Sequence, residues 1–163
     1  IDILTQKAWK FSQQQTKSGL SSVIKNTGIR GRWEILAANP KIICDTAHNE
    51  EGIRKVMQQL ISVPAKKLHI IWGMVSDKSL GLILPLLPKE AAYYFTAASI
   101  PRAMDPAQLA EKARASGLLG DIYSDVKSAI MAARENADQE DVIFIGGSTF
   151  VVADALEFNV TMG

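Results

Sequence analysis

Short apolar runs, each followed by an amphipathic segment, govern what this chain can fold into. Lys41-Ile42-Ile43-Cys44, Leu68-His69-Ile70-Ile71-Trp72, Ala92-Tyr93-Tyr94-Phe95-Thr96 and Val142-Ile143-Phe144-Ile145 are nearly continuous in apolar character. A strand covered on one face alternates polar with apolar residues, whereas one covered on both faces does not. The segments between the runs read as helices. One spans about Glu50 to Ile61, and another carries Val126, Ala129, Ile130 and Ala133 on one face. Strand and helix in regular alternation predict a mostly parallel sheet sandwiched between helical layers.

Local signals fill in the remainder. Trp33–Ala38 and Lys41–Asp45 read as strands joined at Asn39-Pro40, a hairpin that adds an antiparallel edge. Lys78–Leu87 reads as a loop and short helix stopped by Pro88, and Asp121–Tyr123 as a brief extended piece. Asp105 followed by Pro106 opens a helix that Gly117 closes, Ser124 is the expected cap of the next, and Ser148–Phe158 forms the last. The expected fold is α/β, a Rossmann-like three-layer domain with an antiparallel edge hairpin. Upstream, residues 3–25 read as one or two helices, apolar at Leu4, Ala8 and Phe11 and again at Leu20, Val23 and Ile24. Thr27-Gly28-Ile29-Arg30-Gly31-Arg32 then reads as a hinge. The expected division is a helical tail over 1–28 and the α/β domain over 29–163.

At 163 residues, 47% of them hydrophobic and 21% charged, the chain suffices for one well-cored domain. A net charge of +1 gives no general attraction to nucleic acid or to an anionic membrane, and neither is an expected partner. The first 32 residues carry six Lys or Arg side chains against Asp2 alone, while the remainder holds twelve basic and sixteen acidic groups. That leading arm reads as a solvated Lys-rich helix or as a surface that meets something anionic. Cys44 is the only cysteine, and with His48 and His69 the only histidines, no Cys- or His-based metal site is expected. The apolar stretch Leu80–Leu87 is too short to span a bilayer, and the start Ile1-Asp2-Ile3-Leu4-Thr5 lacks the parts of a signal peptide. The expected compartment is reducing and cytoplasmic. The start also lacks an initiator Met, which reads as a fragment or processed product.

In parallel sheets ligands collect beyond the carboxyl ends of the strands, so the turns to inspect are Asp45–Asn49, Gly73–Lys78, Thr96–Arg102 and Gly146–Thr149. Asp45 and His48 put a carboxylate and an imidazole three residues apart at one such exit. They suit hydroxyl groups or a base, or they form a plain strand-to-helix connection. Asn49 is placed to cap the helix, and Glu50 and Glu51 in its first turn already neutralise the dipole, which argues against a phosphate there. Gly146-Gly147-Ser148 reads as a tight turn capped by Ser148, or as an anion cradle of backbone amides. Asp77 and Lys78 end a similar exit loop. No P-loop motif occurs, and no nucleophile–base pair is recognisable.

The order of these pieces resembles the C-terminal domain of folylpolyglutamate synthase/dihydrofolate synthase, in the Mur ligase superfamily. The matching pieces are Gly31-Arg32-Trp33-Glu34, Ile43-Cys44-Asp45-Thr46-Ala47-His48-Asn49 and Gly73-Met74-Val75-Ser76-Asp77-Lys78. They continue with Pro101-Arg102-Ala103, Tyr123-Ser124-Asp125-Val126 and Asp141 through Ser148. Arg30 stands where the family usually has proline, and Thr46 where a smaller residue is expected.

The resemblance implies an ATP-dependent amide ligase that adds L-glutamate to a folate or dihydropteroate carboxylate through an acyl phosphate. It implies an N-terminal P-loop domain as partner, which would hold the Mg2+ ligands and would own the helical arm. ATP contacts then fall to Arg32 (phosphates), Asp45 (ribose) and His48 (packing nearby), with Asn49, Asp77, Lys78 and Ser148 as further candidates. No complete catalytic set and no metal ligands are expected within these residues. The chain alone is expected to be inactive and the parent enzyme monomeric. The arm over residues 1–25 is expected to fray or to self-associate. A muramyl-peptide ligase domain and a non-catalytic nucleotide-binding module are the competing readings.

Overall fold

A computed structural model describes residues 2–7, 9–76 and 80–161. The chain divides into two compact units, Ile1–Arg30 and Gly31–Gly163. The first holds three short helices, α1 (Asp2–Gln6), α2 (Gln13–Ser21) and α3 (Val23–Thr27). Ser12 starts α2 with a reciprocal cap: its hydroxyl accepts the Gln15 amide at 3.1 Å, and the Gln15 side chain accepts the Ser12 amide at 2.8 Å. Gly28, at φ 65°, ends α3 in the left-handed conformation that a side chain disfavours.

The expected stripe Leu4, Ala8, Phe11 does not form on one helix. Helix α1 stops at Gln6, Phe11 lies beyond it, and Ala8 is outside the described residues. The second stripe is likewise split, with Leu20 on α2 and Val23 and Ile24 on α3. All five of these described apolar side chains are exposed. Apolar spacing specifies a helix face only where a surface buries it, and these five side chains are exposed.

The second unit contains β1 (Glu34–Ala38), β2 (Lys41–Cys44), α4 (Glu50–Ile61), β3 (Leu68–Trp72), α5 (Leu80–Ile83) and a 3-10 turn (Leu84–Leu86). It continues with β4 (Ala92–Phe95), α6 (Pro106–Ala115), β5 (Gly120–Ile122), α7 (Val126–Asn136), β6 (Val142–Gly146) and α8 (Thr149–Thr161). The six strands lie in the order β1-β2-β6-β3-β4-β5. The β1–β2 hairpin is antiparallel, with an irregular register between Ile35 and Ala37, and its Asn39–Pro40 peptide is cis. All other neighbours are parallel.

The strand order explains the layers. From β2 through β5 the chain steps in one direction across the sheet, and right-handed crossovers put α4, α5 and α6 on one face. The return from β5 to β6 reverses direction and puts α7 on the other face, where α8 joins it. Side chains follow with period two. Ile43, Ile70, Trp72, Tyr93, Phe95 and Phe144 pack among α4, α5 and α6. Ile42, Cys44, Ile71, Tyr94, Ile143 and Ile145 pack against α7 and α8. Both faces are dry, which is why the strands carry almost no polar residues.

Strand ends differ from the sequence expectation by a residue or so. Trp33 is excluded from β1 because its φ of 45° is left-handed. Asp45, Thr96 and Tyr123 each lie just past their strands, and Gly120 starts β5. The cap of α7 is Asp125 rather than Ser124. The Asp125 carboxylate accepts the Ser128 amide at 2.7 Å, and the Ser124 hydroxyl donates to Asp125 Oδ2 at 2.8 Å. A carboxylate at that position competes better for the helix amides than a hydroxyl one residue earlier.

The exception within the dry sheet is His69, fully buried near the amino end of β3. Its Nδ1 lies 3.0 Å from the Tyr94 hydroxyl and its Nε2 lies 3.3 Å from Asp141 Oδ2. A neutral ring satisfies both, with Nε2–H donating to Asp141 and Nδ1 accepting from Tyr94.

Candidate functional site

The site is built by the turns leaving the carboxyl ends of β2, β3, β4 and β6, which hydrogen bonds tie together. The Asp45 amide donates to the Ile145 carbonyl at 3.1 Å, and the Thr96 amide to the Trp72 carbonyl at 3.0 Å. The Ser76 amide reaches the Arg102 carbonyl at 3.0 Å, and the Met104 amide reaches the Met74 carbonyl at 2.9 Å. The exits of β3 and β4 are thereby joined.

The turn from β6 into α8 packs closely on its neighbours. Gly147 has φ 92°, and a Cβ there would stand 2.6 Å from the Gly73 carbonyl oxygen and 2.8 Å from Trp72 Cε2. Only glycine permits both the conformation and the approach. Ser148, 3% exposed, accepts the Phe150 amide on its hydroxyl at 3.2 Å. Its side chain therefore caps α8. Trp72 Nε1 and Thr96 Oγ1 are buried at this end of the sheet with no hydrogen-bond partner among the described residues. The Arg102 guanidinium lies over the Phe150 ring, 4.9 Å from its centroid. The sequence reading placed Trp72 in a buried strand and Arg102 in the Thr96–Arg102 exit turn and the Pro101-Arg102-Ala103 piece, and gave neither a role of its own.

The residues expected to meet ATP lie around the exit of β2. Asp45 is half-buried and uses both oxygens on backbone amides: Oδ2 accepts from Trp33 and Oδ1 from Ala47, each at 2.8 Å. The Thr46 amide donates to the Gly31 carbonyl at 2.8 Å, and the Gly31 amide donates to Glu34 Oε2 at 2.7 Å. The Gly31–Glu34 segment is thus laid against Asp45 and Thr46. Gly31 is buried with φ 71°, and a Cβ on it would come within 2.7 Å of Val152 Cγ1 and 3.0 Å of Thr46 Cγ2. Arg32, between these anchored neighbours, is exposed.

His48 is exposed, and its Nδ1 lies 3.0 Å from the Thr46 carbonyl oxygen. A carbonyl only accepts, so Nδ1 carries the proton of the neutral ring and Nε2 is left as an acceptor. Asn49 Oδ1 accepts the Gly52 amide at 2.8 Å and caps α4. Glu50 and Glu51 occupy its first turn, paired with Arg54 at 2.7 Å and Lys55 at 2.9 Å. Asp77 and Lys78 lie outside the described residues. Glu34 was part of the Gly-Arg-Trp-Glu motif but was given no role of its own, because its bond to an amide three residues earlier depends on a turn that spacing does not reveal. A depression of about 400 Å³ lies elsewhere, lined by Ser99, Asp125, Lys127, Asp154, Glu157 and Phe158, and includes none of the expected ATP residues. Among the described residues no three His, Cys, Asp or Glu side chains gather to hold a metal ion, and no helix is long and apolar enough to cross a membrane.

The parallel sheet and the linked turns beyond its carboxyl end define a three-layer α/β domain of the kind that binds ligands at that edge. Residues 31–149 match the Mur ligase, glutamate ligase domain, and the chain belongs to that family. It is 31% identical over 133 residues to a probable bifunctional folylpolyglutamate synthase/dihydropteroate synthase of Haloferax volcanii, covering 81% of this chain and 16% of that protein. Its fold superposes on E. coli FolC in complex with DHPP and ADP with a TM-score of 0.84 and 25% identity, covering 98% of this chain and 37% of that one. A bifunctional folylpolyglutamate synthase/dihydrofolate synthase from Yersinia pestis, complexed with AMPPNP and Mn ion, gives a TM-score of 0.82 and 27% identity over 96% of this chain and 37% of that one. The chain therefore spans well under half the length of each of these relatives.

Proposed function

We propose that this chain is the ATP-contacting C-terminal domain of an amide ligase that joins L-glutamate to the carboxylate of a folate or dihydropteroate. The observation that carries this reading is the Gly31–Trp33 turn braced on Asp45 at the exit of β2, which opens the segment matched by the family. The relatives with bound ADP and AMPPNP support a nucleotide as the ligand.

The residues present fit a nucleotide. Arg32 offers an exposed forked cation suited to phosphate oxygens. Asp45 keeps lone pairs beyond the two it gives to backbone amides, enough to accept ribose hydroxyls. His48 offers Nε2 as an acceptor beside it. The carboxylates of Glu50 and Glu51 keep phosphate away from the start of α4, so the nucleotide lies with its phosphates toward Arg32. ATP supplies the phosphoryl group that activates the substrate carboxylate toward the glutamate amine. The Mg2+ ligands and the P-loop belong to a partner N-terminal domain, to which the helices of residues 1–28 also belong.

Steady-state kinetics of the full-length enzyme test the assignment. Asp45→Ala should chiefly raise KM for ATP. Arg32→Ala should lower kcat as well, at a cost of about 2–4 kcal/mol for a charged contact that strengthens as the reaction proceeds. Unchanged kinetics in both variants would remove these residues from the nucleotide site.

A further inference from the structure

We propose that Glu34 is a positioning residue for Arg32, acting through the Gly31 amide rather than by touching any ligand. The proposal rests on the reading that Arg32 meets the nucleotide.

The geometry around Arg32 carries it. The residue before it, Gly31, has its amide on Glu34 Oε2 at 2.7 Å and its carbonyl on the Thr46 amide at 2.8 Å. The residue after it, Trp33, has its amide on Asp45 Oδ2 at 2.8 Å. Every one of these groups lies within the Gly31–Gly163 unit. Two carboxylates therefore hold the backbone on either side of a single exposed arginine. Bonds from an amide to a charged carboxylate are about twice as strong as neutral ones.

The turn needs such holding. Trp33 sits at φ 45°, a conformation that costs a bulky residue free energy and persists only where its surroundings over-determine it. Gly31 at φ 71° fills the one place where a side chain would strike Val152 and Thr46. Freed from Glu34, the Gly31 amide loses its partner and the turn can relax toward the extended backbone that a β-strand entry ordinarily takes. Arg32 would then be carried on a mobile base. A cation that must meet phosphate oxygens in one geometry loses effectiveness when displaced by an ångström or less. Asp45 contributes to the same brace in addition to its proposed ligand contact, whereas Glu34 is assigned the brace and no ligand contact.

A double-mutant cycle in the full-length enzyme tests this. Glu34→Ala should reduce kcat/KM for ATP by about tenfold, and Glu34→Gln, whose amide oxygen still accepts the Gly31 N–H, should stay within about threefold of the parent. KM for glutamate should not move. In the Arg32→Ala background, adding Glu34→Ala should change kcat/KM by less than about twofold, because a positioning residue has nothing left to position. Losses that multiply would show that Glu34 acts independently of Arg32 and would overturn the proposal. A silent Glu34→Ala beside a damaging Arg32→Ala would do the same. A silent Arg32→Ala is the distinct outcome in which the nucleotide reading itself fails and takes the proposal with it. Melting curves accompany each variant, and if Glu34→Ala does not fold, Glu34→Asp, one methylene too short to reach Gly31, replaces it in the cycle.

Discussion

His69 lies wholly inside the sheet with its two ring nitrogens committed to groups of opposite demand, the Tyr94 hydroxyl and the Asp141 carboxylate. Burial pushes its pKa below the ordinary 6.5, and the bond to Asp141 opposes that push without cancelling it. Lys67 adds to the lowering, while the charge of Asp138 works against it. For Asp141 burial acts to raise the pKa, but the Asp138 amide and His69 together outweigh it and the carboxyl ends below its ordinary 3.8. The signs agree. As pH falls below 6.5 the unfolded chain takes a proton on its histidine that the folded chain refuses, so stability drops. As pH falls below 3.8 the same holds for Asp141. Chemical denaturation across pH should therefore show stability declining on acidification from about 6.5, and His69→Gln should remove that upper part of the decline. A wild-type profile flat down to pH 4 would contradict it. This pairing was not legible in the sequence, since the two residues are 72 positions apart. Asp45 and His48 were legible as exit-loop residues, because a polar pair following an apolar run stands out. The partner of Asp45 at Trp33 was not, because it depends on how the hairpin returns.

Helices α4, α6 and α7 each begin at a side chain that accepts their first free amides: Asn49, Asp105 and Asp125. The first two were readable, being short polar residues directly before a helical pattern, with Pro106 marking the start of α6. The third was displaced by one position because Ser124 and Asp125 are both good caps, and only the geometry chooses. The Ser128 amide, followed by the Ser124 hydroxyl, holds the Asp125 carboxyl below its usual range. Asp125→Ala should cost about 1 kcal/mol in equilibrium unfolding, and Ser124→Ala less than about 0.5 kcal/mol. The reverse order would return the cap to Ser124. The strands were the most legible elements, since burial on both faces leaves a pattern that local propensity does not blur. Their ends were less so, because φ at Trp33 is set by the Asp45 and Thr46 contacts rather than by tryptophan's own preference.

At the scale of the molecule, the second unit has what a domain needs, two dry layers around one sheet, while the first exposes most of its apolar side chains. Ile3, Trp9, Leu20 and Ile24 are each at least 60% exposed. Three helices of five to nine residues gain little from their own hydrogen bonds, and apolar faces of this kind are ordinarily covered. We propose that residues 1–28 belong to a partner domain, and the chain spans 37% of the solved synthases it resembles. The sequence conveyed the sheet and the ligand edge of the second unit because one set of apolar contacts builds both. It conveyed the arm poorly because the arm's described apolar side chains are left exposed. The most direct test of the ligase assignment is glutamate-dependent ATP turnover with a folate or dihydropteroate acceptor and Mg2+, measured for this chain alone and for the same chain joined to its P-loop domain. The expected result is no turnover by the chain alone and glutamate-dependent turnover once joined, because the proposed reading gives ATP contacts to this chain and the P-loop and metal ligands to the partner domain. Metal-dependent ATP turnover by the chain alone, or none by the joined enzyme, would contradict it.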